Sequence, residues 1–189
     1  MALNVAQFED LTRQLGRVPG LVDQLEQRRT GFPDHVLAWL AAVERSLESN
    51  HMPVVSQVAG LRAMLIESTR GAYTEEISFT GRATARKIQD GVGSLVLQRG
   101  SELVHAAIAE RAATFQEAER IARQLIALAD AKGLLAECDD GRPHRAMLQC
   151  LQEQIAIDAD LAAVNLHLVS LVGKTDVLVF LDRAIPSVR

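Results

Sequence analysis

The sequence predicts an all-α fold: an elongated bundle of six or seven helices, two of them long, with an apolar C-terminal arm. Apolar residues recur at three- and four-residue steps through most of the 189 residues, which is the spacing of one helix face. The apolar fraction of 48% and the charged fraction of 23% are typical of folded globular proteins. Aromatic residues make up only 4%, so the core must consist mainly of Leu, Val, Ile and Ala, which suit closely packed helices.

The first part of the chain predicts four helices separated by short turn sequences. Apolar side chains recur over residues 5–15 and again over 21–25, with "GRVPG" between the two stretches. A third stripe covers residues 36–47 and follows "TGFPDH", in which Pro33 suits a first helical turn. Pro53 opens the fourth in the same way, and "STRGAYTEE" ends it.

The middle of the chain predicts a helix near residues 82–98, a break around Gly100, and a long helix over 101–132. No proline interrupts this region, but each glycine in a helix interior costs about 1 kcal/mol relative to alanine. Gly133 then has the properties of a helix C-cap.

Pro143 opens a second long helix, which we expect to continue to Gly173. We therefore expect one helical domain over residues 1–173 and a C-terminal docking segment over 174–189. A helix of roughly 30 residues is about 45 Å long, which exceeds what a compact domain of this size requires. The surplus apolar length is expected to pack against another protein or a second copy of the chain.

A run of five apolar residues in the docking segment supplies the predicted partner-binding residues. Burial of one such side chain contributes on the order of 2 kcal/mol, so the run must dock somewhere. A helical conformation would place it on its own bundle, whereas an extended arm would insert into another subunit, and the sequence leaves both open. The residues are Val177, Leu178, Val179, Phe180 and Leu181.

The charge distribution has one local anomaly. The net charge of −4 gives no overall attraction to nucleic acid or anionic membrane. The predicted helix 82–98 and the residue after it nevertheless carry four basic side chains against Asp90 alone, which predicts a surface for an anion or an acidic partner, or for nucleic acid as an alternative. These side chains are Arg82, Arg86, Lys87 and Arg99.

The stretch "RSLESNH", from Arg45 to His51, resembles the Arg-x(4–6)-His motif of the HEPN family, helical domains of which many are ribonucleases. The resemblance covers seven residues and implies metal-independent RNA cleavage. His51 would move a proton from a ribose hydroxyl, and Arg45 would stabilise the phosphate. The same spacing occurs four times in the chain, so it does not mark a site by itself. The four pairs are Arg28–His35, Arg29–His35, Arg45–His51 and Arg99–His105.

The cysteines predict neither a metal site nor a disulfide framework. Cys138, His144 and Cys150 are six residues apart, wider than the usual spacing of zinc ligands, so we expect no metal and no cofactor. Two cysteines are too few for a disulfide scaffold, and the first residues lack the pattern of a secretory signal. These features predict free thiols and a cytoplasmic location, with no membrane span.

The use of seventeen arginines against three lysines suggests a GC-rich, bacterial genome.

The sequence therefore predicts a non-enzymatic helical interaction protein, an adaptor or a small subunit of a larger assembly. Its expected partner is another protein or a second copy of itself. The alternatives are a HEPN-like ribonuclease that uses Arg45 and His51, and a nucleic-acid-associated subunit that uses the basic stretch 82–99.

Overall fold

A computed structural model describes residues 3–49, 52–71 and 84–185. These residues form nine α-helices and no strand, which confirms the predicted all-α class. The chain divides into two compact units, Met1–Ala109 and Glu110–Arg189. The helices are α1 (Val5–Gly16), α2 (Val18–Glu26), α3 (Phe32–Glu48), α4 (Val55–Ser68), α5 (Ala85–Ala131), α6 (Leu134–Cys138), α7 (His144–Ile157), α8 (Ala162–Val172) and α9 (Lys174–Ala184).

The helices of the first unit begin at the turn sequences that predict them. Asn4 caps α1, because its side-chain oxygen accepts the Gln7 N–H at 2.9 Å while the Gln7 side chain accepts the Asn4 N–H at 2.9 Å. Gly31 precedes α3 with a φ of 85°, a left-handed conformation that glycine adopts without strain, and Pro33 occupies the first turn. Local turn chemistry thus sets these boundaries.

Helix α3 supplies the central apolar face of the first unit. It packs against α1, α2 and α4, and its buried side chains recur at helical spacing. The buried Trp39 indole donates its Nε1–H to the carbonyl oxygen of Gln14 at 2.8 Å, which satisfies its one polar atom. The buried residues of α3 are Phe32, Val36, Trp39, Leu40, Val43 and Leu47.

Helix α5 is continuous over 47 residues, so the predicted break around Gly100 is wrong. Packing explains the glycines instead. A Cβ atom on Gly93 would come within 2.9 Å of Phe32 Cε1, and one on Gly100 would come within 2.9 Å of Trp39 Cζ3. The glycines therefore allow the aromatic rings of α3 to lie directly on α5, and this packing offsets their poor helix propensity.

The expected single helix from Pro143 to Gly173 is two helices, α7 and α8, bent by 120° relative to each other. Asp158 ends α7 with an extended ψ of 126°. Its carboxylate Oδ1 accepts the backbone N–H groups of Asp160 at 3.0 Å and Leu161 at 3.1 Å. These hydrogen bonds cap the next turn and stabilise the bend. The sequence did not predict the bend, because apolar residues recur at helical spacing across it.

The second unit packs α7, α8 and α9 on one another, with the C-terminal part of α5 supplying further buried residues. The predicted boundary at residue 173 falls inside this unit, because α9 belongs to it. The cysteines, predicted as free thiols, are bonded to each other: Cys138 and Cys150 form a disulfide between α6 and α7, with Cα atoms 5.9 Å apart. The buried residues of α7, α8 and α9 include Leu148, Leu151, Ile155, Leu168, Val172, Val177, Phe180 and Leu181.

Candidate protein-interaction surface

The apolar run of the C-terminal segment is helical and docks on its own chain. Val177, Phe180 and Leu181 are buried in the second unit, while Leu178 and Val179 are half-buried. The rings of Phe180 and Phe115 lie 5.5 Å apart at an interplanar angle of 55°. Of the two alternatives that the sequence left open, the structure therefore contains docking in cis, and three of the five predicted partner-binding residues are covered by their own chain.

A polar contact also joins α9 to the rest of the second unit. His144 at the start of α7 lies with its Nε2 atom 2.5 Å from the Asp182 carboxylate near the end of α9. Both side chains are exposed, at 61% and 49%. The apolar packing therefore holds the buried side of α9, and the contact between His144 and Asp182 holds its exposed side.

Helix α8 is the unusual element of the second unit. Eight of its eleven residues are apolar, with no charged side chain among them. A surface helix normally turns its large apolar side chains toward the core and its polar side chains toward water. Here Leu168 and Val172 face the core, whereas Leu166 is 70% exposed and Ala163 is exposed. We refer to Ala163, Leu166, His167 and Ser170, the exposed residues of this helix, as the α8 outer face.

Large exposed apolar side chains are concentrated in the second unit. Ile157, at the end of α7, is 76% exposed, and Leu128 of α5 is 50% exposed. In the described part of the first unit the corresponding residues, Val22 and Ile66, are only 39% and 41% exposed. Within the uncharged stretch "LAAVNLHLVSLVG", helical periodicity places Leu161, Val164 and Leu168 on the buried side and leaves Leu166 off it. The structure buries Leu161 and Leu168 and exposes Leu166.

Charged groups lie at both ends of α8. Before the helix, the Lys132 ammonium donates to both oxygens of Asp158 at 2.8 Å and to Asp160 at 2.6 Å. These hydrogen bonds raise the pKa of Lys132, and the Lys132 contact holds the pKa of Asp158 below its ordinary value. After the helix, Lys174 is exposed. The end of α8 that follows Asp160 is therefore acidic, and the exposed charge at the opposite end is that of Lys174, because Asp176 nearby is buried.

One polar side chain of α8 is buried. Asn165 is 6% exposed, and its side-chain oxygen has no hydrogen-bond partner among the described residues. A buried amide oxygen without a partner costs about 1–3 kcal/mol, so α8 is packed less favourably than its apolar composition would allow.

The predicted basic stretch does not form one cluster. Arg82 lies outside the described residues. Arg86 donates to the carbonyl oxygen of Arg28 at 2.6 Å and lies 3.7 Å from the Asp90 carboxylate. Arg99 is half-buried and lies about 18 Å further along α5 than Lys87, at 1.5 Å per residue. The structure thus brings Arg86 and Lys87 together and keeps Arg99 apart.

The structure places the residues of the predicted Arg–His pairs in different ways. Arg45 lies in the last turn of α3 and lines a cleft of about 330 Å³, together with Asn4, Gln7 and Asp10. His51 lies outside the described residues, so the structure does not place the imidazole that the resemblance requires. Arg99 and His105 are six residues apart on the continuous helix α5, which puts them about 120° apart around its axis.

The remaining chemical features of the described residues are simple. The sulfurs of Cys138 and Cys150 are bonded to each other, and no group of three or more His, Cys, Asp or Glu side chains within 3–49, 52–71 and 84–185 is arranged to hold a metal ion. Over the same ranges no single helix has the length and composition of a membrane span. Only the bent pair α7–α8 reaches that length and composition together.

Comparison of the chain with protein-family models, with curated proteins and with solved structures gives no significant match.

Proposed function

We propose that this chain is a non-enzymatic helical interaction protein, an adaptor or a small subunit of a larger assembly, which binds a protein partner through the α8 outer face. One observation carries the proposal: Leu166, at the centre of a helix without charged residues, is 70% exposed. A surface helix normally turns its large apolar side chains toward the core, and Leu166 departs from that arrangement.

The second unit leaves large apolar side chains in contact with water. Burial of a leucine or isoleucine side chain contributes about 2 kcal/mol. Leu166, which is 70% exposed, would contribute most of that amount in a complex. The charged side chains at the ends of α8 would form the polar rim that surrounds the apolar centre of protein interfaces.

The C-terminal segment has a supporting role in this proposal. The sequence suggested that Val177, Phe180 and Leu181 touch the partner directly. Because their side chains are buried against the second unit, they instead support α8, on which α9 packs. Partner binding then depends on α9 through the stability of the unit.

The experiment is a comparative pull-down from a lysate of the source cells. Leu166→Glu places a charge in the middle of the α8 outer face, and the matched control Ile66→Glu changes an exposed apolar residue of α4. We expect some proteins to be retained by the wild type and by Ile66→Glu but not by Leu166→Glu. The two variants are expected to have equal melting temperatures. Equal retention by the wild type and both variants contradicts it.

A second candidate function, metal-independent ribonuclease activity, rests on Arg45 and the cleft of about 330 Å³ that it lines. It predicts cleavage of single-stranded RNA in the presence of EDTA, with loss of activity in Arg45→Ala and in His51→Ala. RNA that stays intact under these conditions removes this candidate.

The nucleic-acid alternative predicts binding that weakens steeply with salt and is lost in Arg86→Ala.

A further inference from the structure

We infer that the partner of the α8 outer face is the same face of a second copy of this chain, in an antiparallel, two-fold arrangement. The inference rests on the proposed function and deepens it by naming the partner. Two features of the structure support it: the positions of the exposed residues along α8 and the opposite charges at the two ends of the helix.

The exposed residues are placed symmetrically along the helix. Helix α8 runs from Ala162 to Val172, so His167 is its central residue and Leu166 directly precedes it. Ala163 and Ser170 lie three residues to either side of this pair. When two copies of α8 are antiparallel about the point between Leu166 and His167, Ala163 of one copy faces Ser170 of the other. Each Leu166 side chain then lies beside the two-fold axis and next to His167 of the other copy, and the small residues Ala163 and Ser170 permit close approach of the helices on either side.

The charges favour the antiparallel direction. Asp160 lies two residues before α8 and Lys174 two residues after it, and both are exposed. Lys132 already contacts Asp160, but it shares its one positive charge between two carboxylates, so this end stays acidic. An antiparallel pair therefore places Asp160 of each copy near Lys174 of the other. A parallel pair would place like charges together.

The size of the face sets the strength of the complex. An 11-residue helix is about 16 Å long, and one side of it offers less than the roughly 800 Å² per partner of a standard interface. The second copy is therefore expected to bind weakly and reversibly, so the association appears only at high protein concentration.

The test is the mass of the full-length protein by sedimentation equilibrium, over concentrations on the order of 10 µM to 1 mM. The wild type and the control Ile66→Glu are expected to shift from monomer to dimer. Leu166→Glu is expected to stay monomeric over the same range.

Charge reversal tests the direction of the pair. Asp160→Lys and Lys174→Asp are each expected to weaken self-association at least about threefold, since each places like charges together at both ends. An equimolar mixture of these two variants restores opposite charges at both ends, so it is expected to associate at least as well as the wild type.

Three results overturn the inference. These are a wild type that stays monomeric up to the highest concentration, self-association that Leu166→Glu leaves unchanged, and a mixture of the charge-reversed variants that associates no better than either alone. If the wild type is monomeric while Leu166→Glu still loses a protein in the pull-down, the second copy is excluded and the proposed function stands. If the monomer instead binds phosphatidylcholine vesicles through Leu166, the second copy is also excluded.

Discussion

Gly100 of α5 lies directly against the indole ring of Trp39 on α3, so closely that a Cβ atom at position 100 would come within 2.9 Å of Cζ3 and 3.2 Å of Cη2. The indole is fixed from its other side, because Nε1 donates to the Gln14 carbonyl oxygen at 2.8 Å. A glycine that looked like a helix break is therefore a contact point between two helices.

This contact predicts that Gly100→Ala destabilises the protein although alanine is the better helix former. The added methyl group must displace a buried ring, at a cost of about 1–3 kcal/mol, against a propensity gain of about 1 kcal/mol. The matched control is Gly60→Ala in α4, where nothing lies within 4 Å of the added atom, and it is expected to be stabilising. Urea unfolding of both variants measures the difference. A Gly100→Ala variant as stable as Gly60→Ala would refute the packing argument.

The disulfide predicts a redox-dependent stability of the second unit. Cys138 and Cys150 are 12 residues apart, and a cross-link that closes a loop of this length stabilises by about 2–3 kcal/mol. Unfolding in urea, followed by circular dichroism with and without a phosphine reductant, measures the effect. The double variant Cys138→Ser/Cys150→Ser should be insensitive to the reductant. Two titratable thiols in the protein purified without reductant would contradict the bond.

The packing of α9 predicts a large effect of Phe180→Ala. Phe180 is 2% exposed and lies against Phe115, so its truncation leaves a cavity and is expected to cost about 3–5 kcal/mol. Val179→Ala, at a half-buried position of the same helix, is the control and should cost clearly less. A loss of stability no greater for Phe180→Ala than for Val179→Ala would show that α9 does not dock in cis.

The ion pair at the start of α8 predicts a pH dependence. Because Lys132 holds the folded-state pKa of Asp158 below its unfolded value, the contact contributes stability above the unfolded pKa. That contribution is lost as the pH falls through the lowered folded-state pKa. Asp140 behaves in the same way, with its pKa lowered to about 2 by its hydrogen bond to Arg142.

A carboxyl carbon-13 NMR titration tests this directly. The Asp158 midpoint is expected below its ordinary value of 3.8, and Lys132→Met should raise it. An Asp158 midpoint that Lys132→Met leaves unchanged would exclude the ion pair as the cause. Asp140 provides an internal control, since its partner is Arg142 and the Lys132 substitution leaves that pair intact.

The sequence predicted the features that local chemistry controls. The turns between α1 and α4, the stop at Gly133 and the helix start after Pro143 are read from a few neighbouring residues. The continuity of α5 through Gly100 was missed, because the reason for that glycine is a ring more than 60 positions away in the chain. The bend at Asp158 was missed because apolar periodicity continues across it.

The candidate surface on α8 differs from the one that the sequence predicts. An apolar surplus was expected in the second half of the chain, and it was assigned to residues 177–181. Whether an apolar segment is covered depends on the tertiary neighbours of each side chain, such as Phe115 beside Phe180. Helical periodicity separates the buried Leu161 and Leu168 from Leu166, but it does not show whether Leu166 is covered by another element.

The most direct test of the central claim is site-specific photo-crosslinking in the source cells, with a benzophenone amino acid in place of Leu166 or, as the control, of Ile66. The account predicts a discrete protein adduct of higher mass from position 166, and none of that mass from position 66. No adduct from position 166, or the same adduct from both positions, would contradict it.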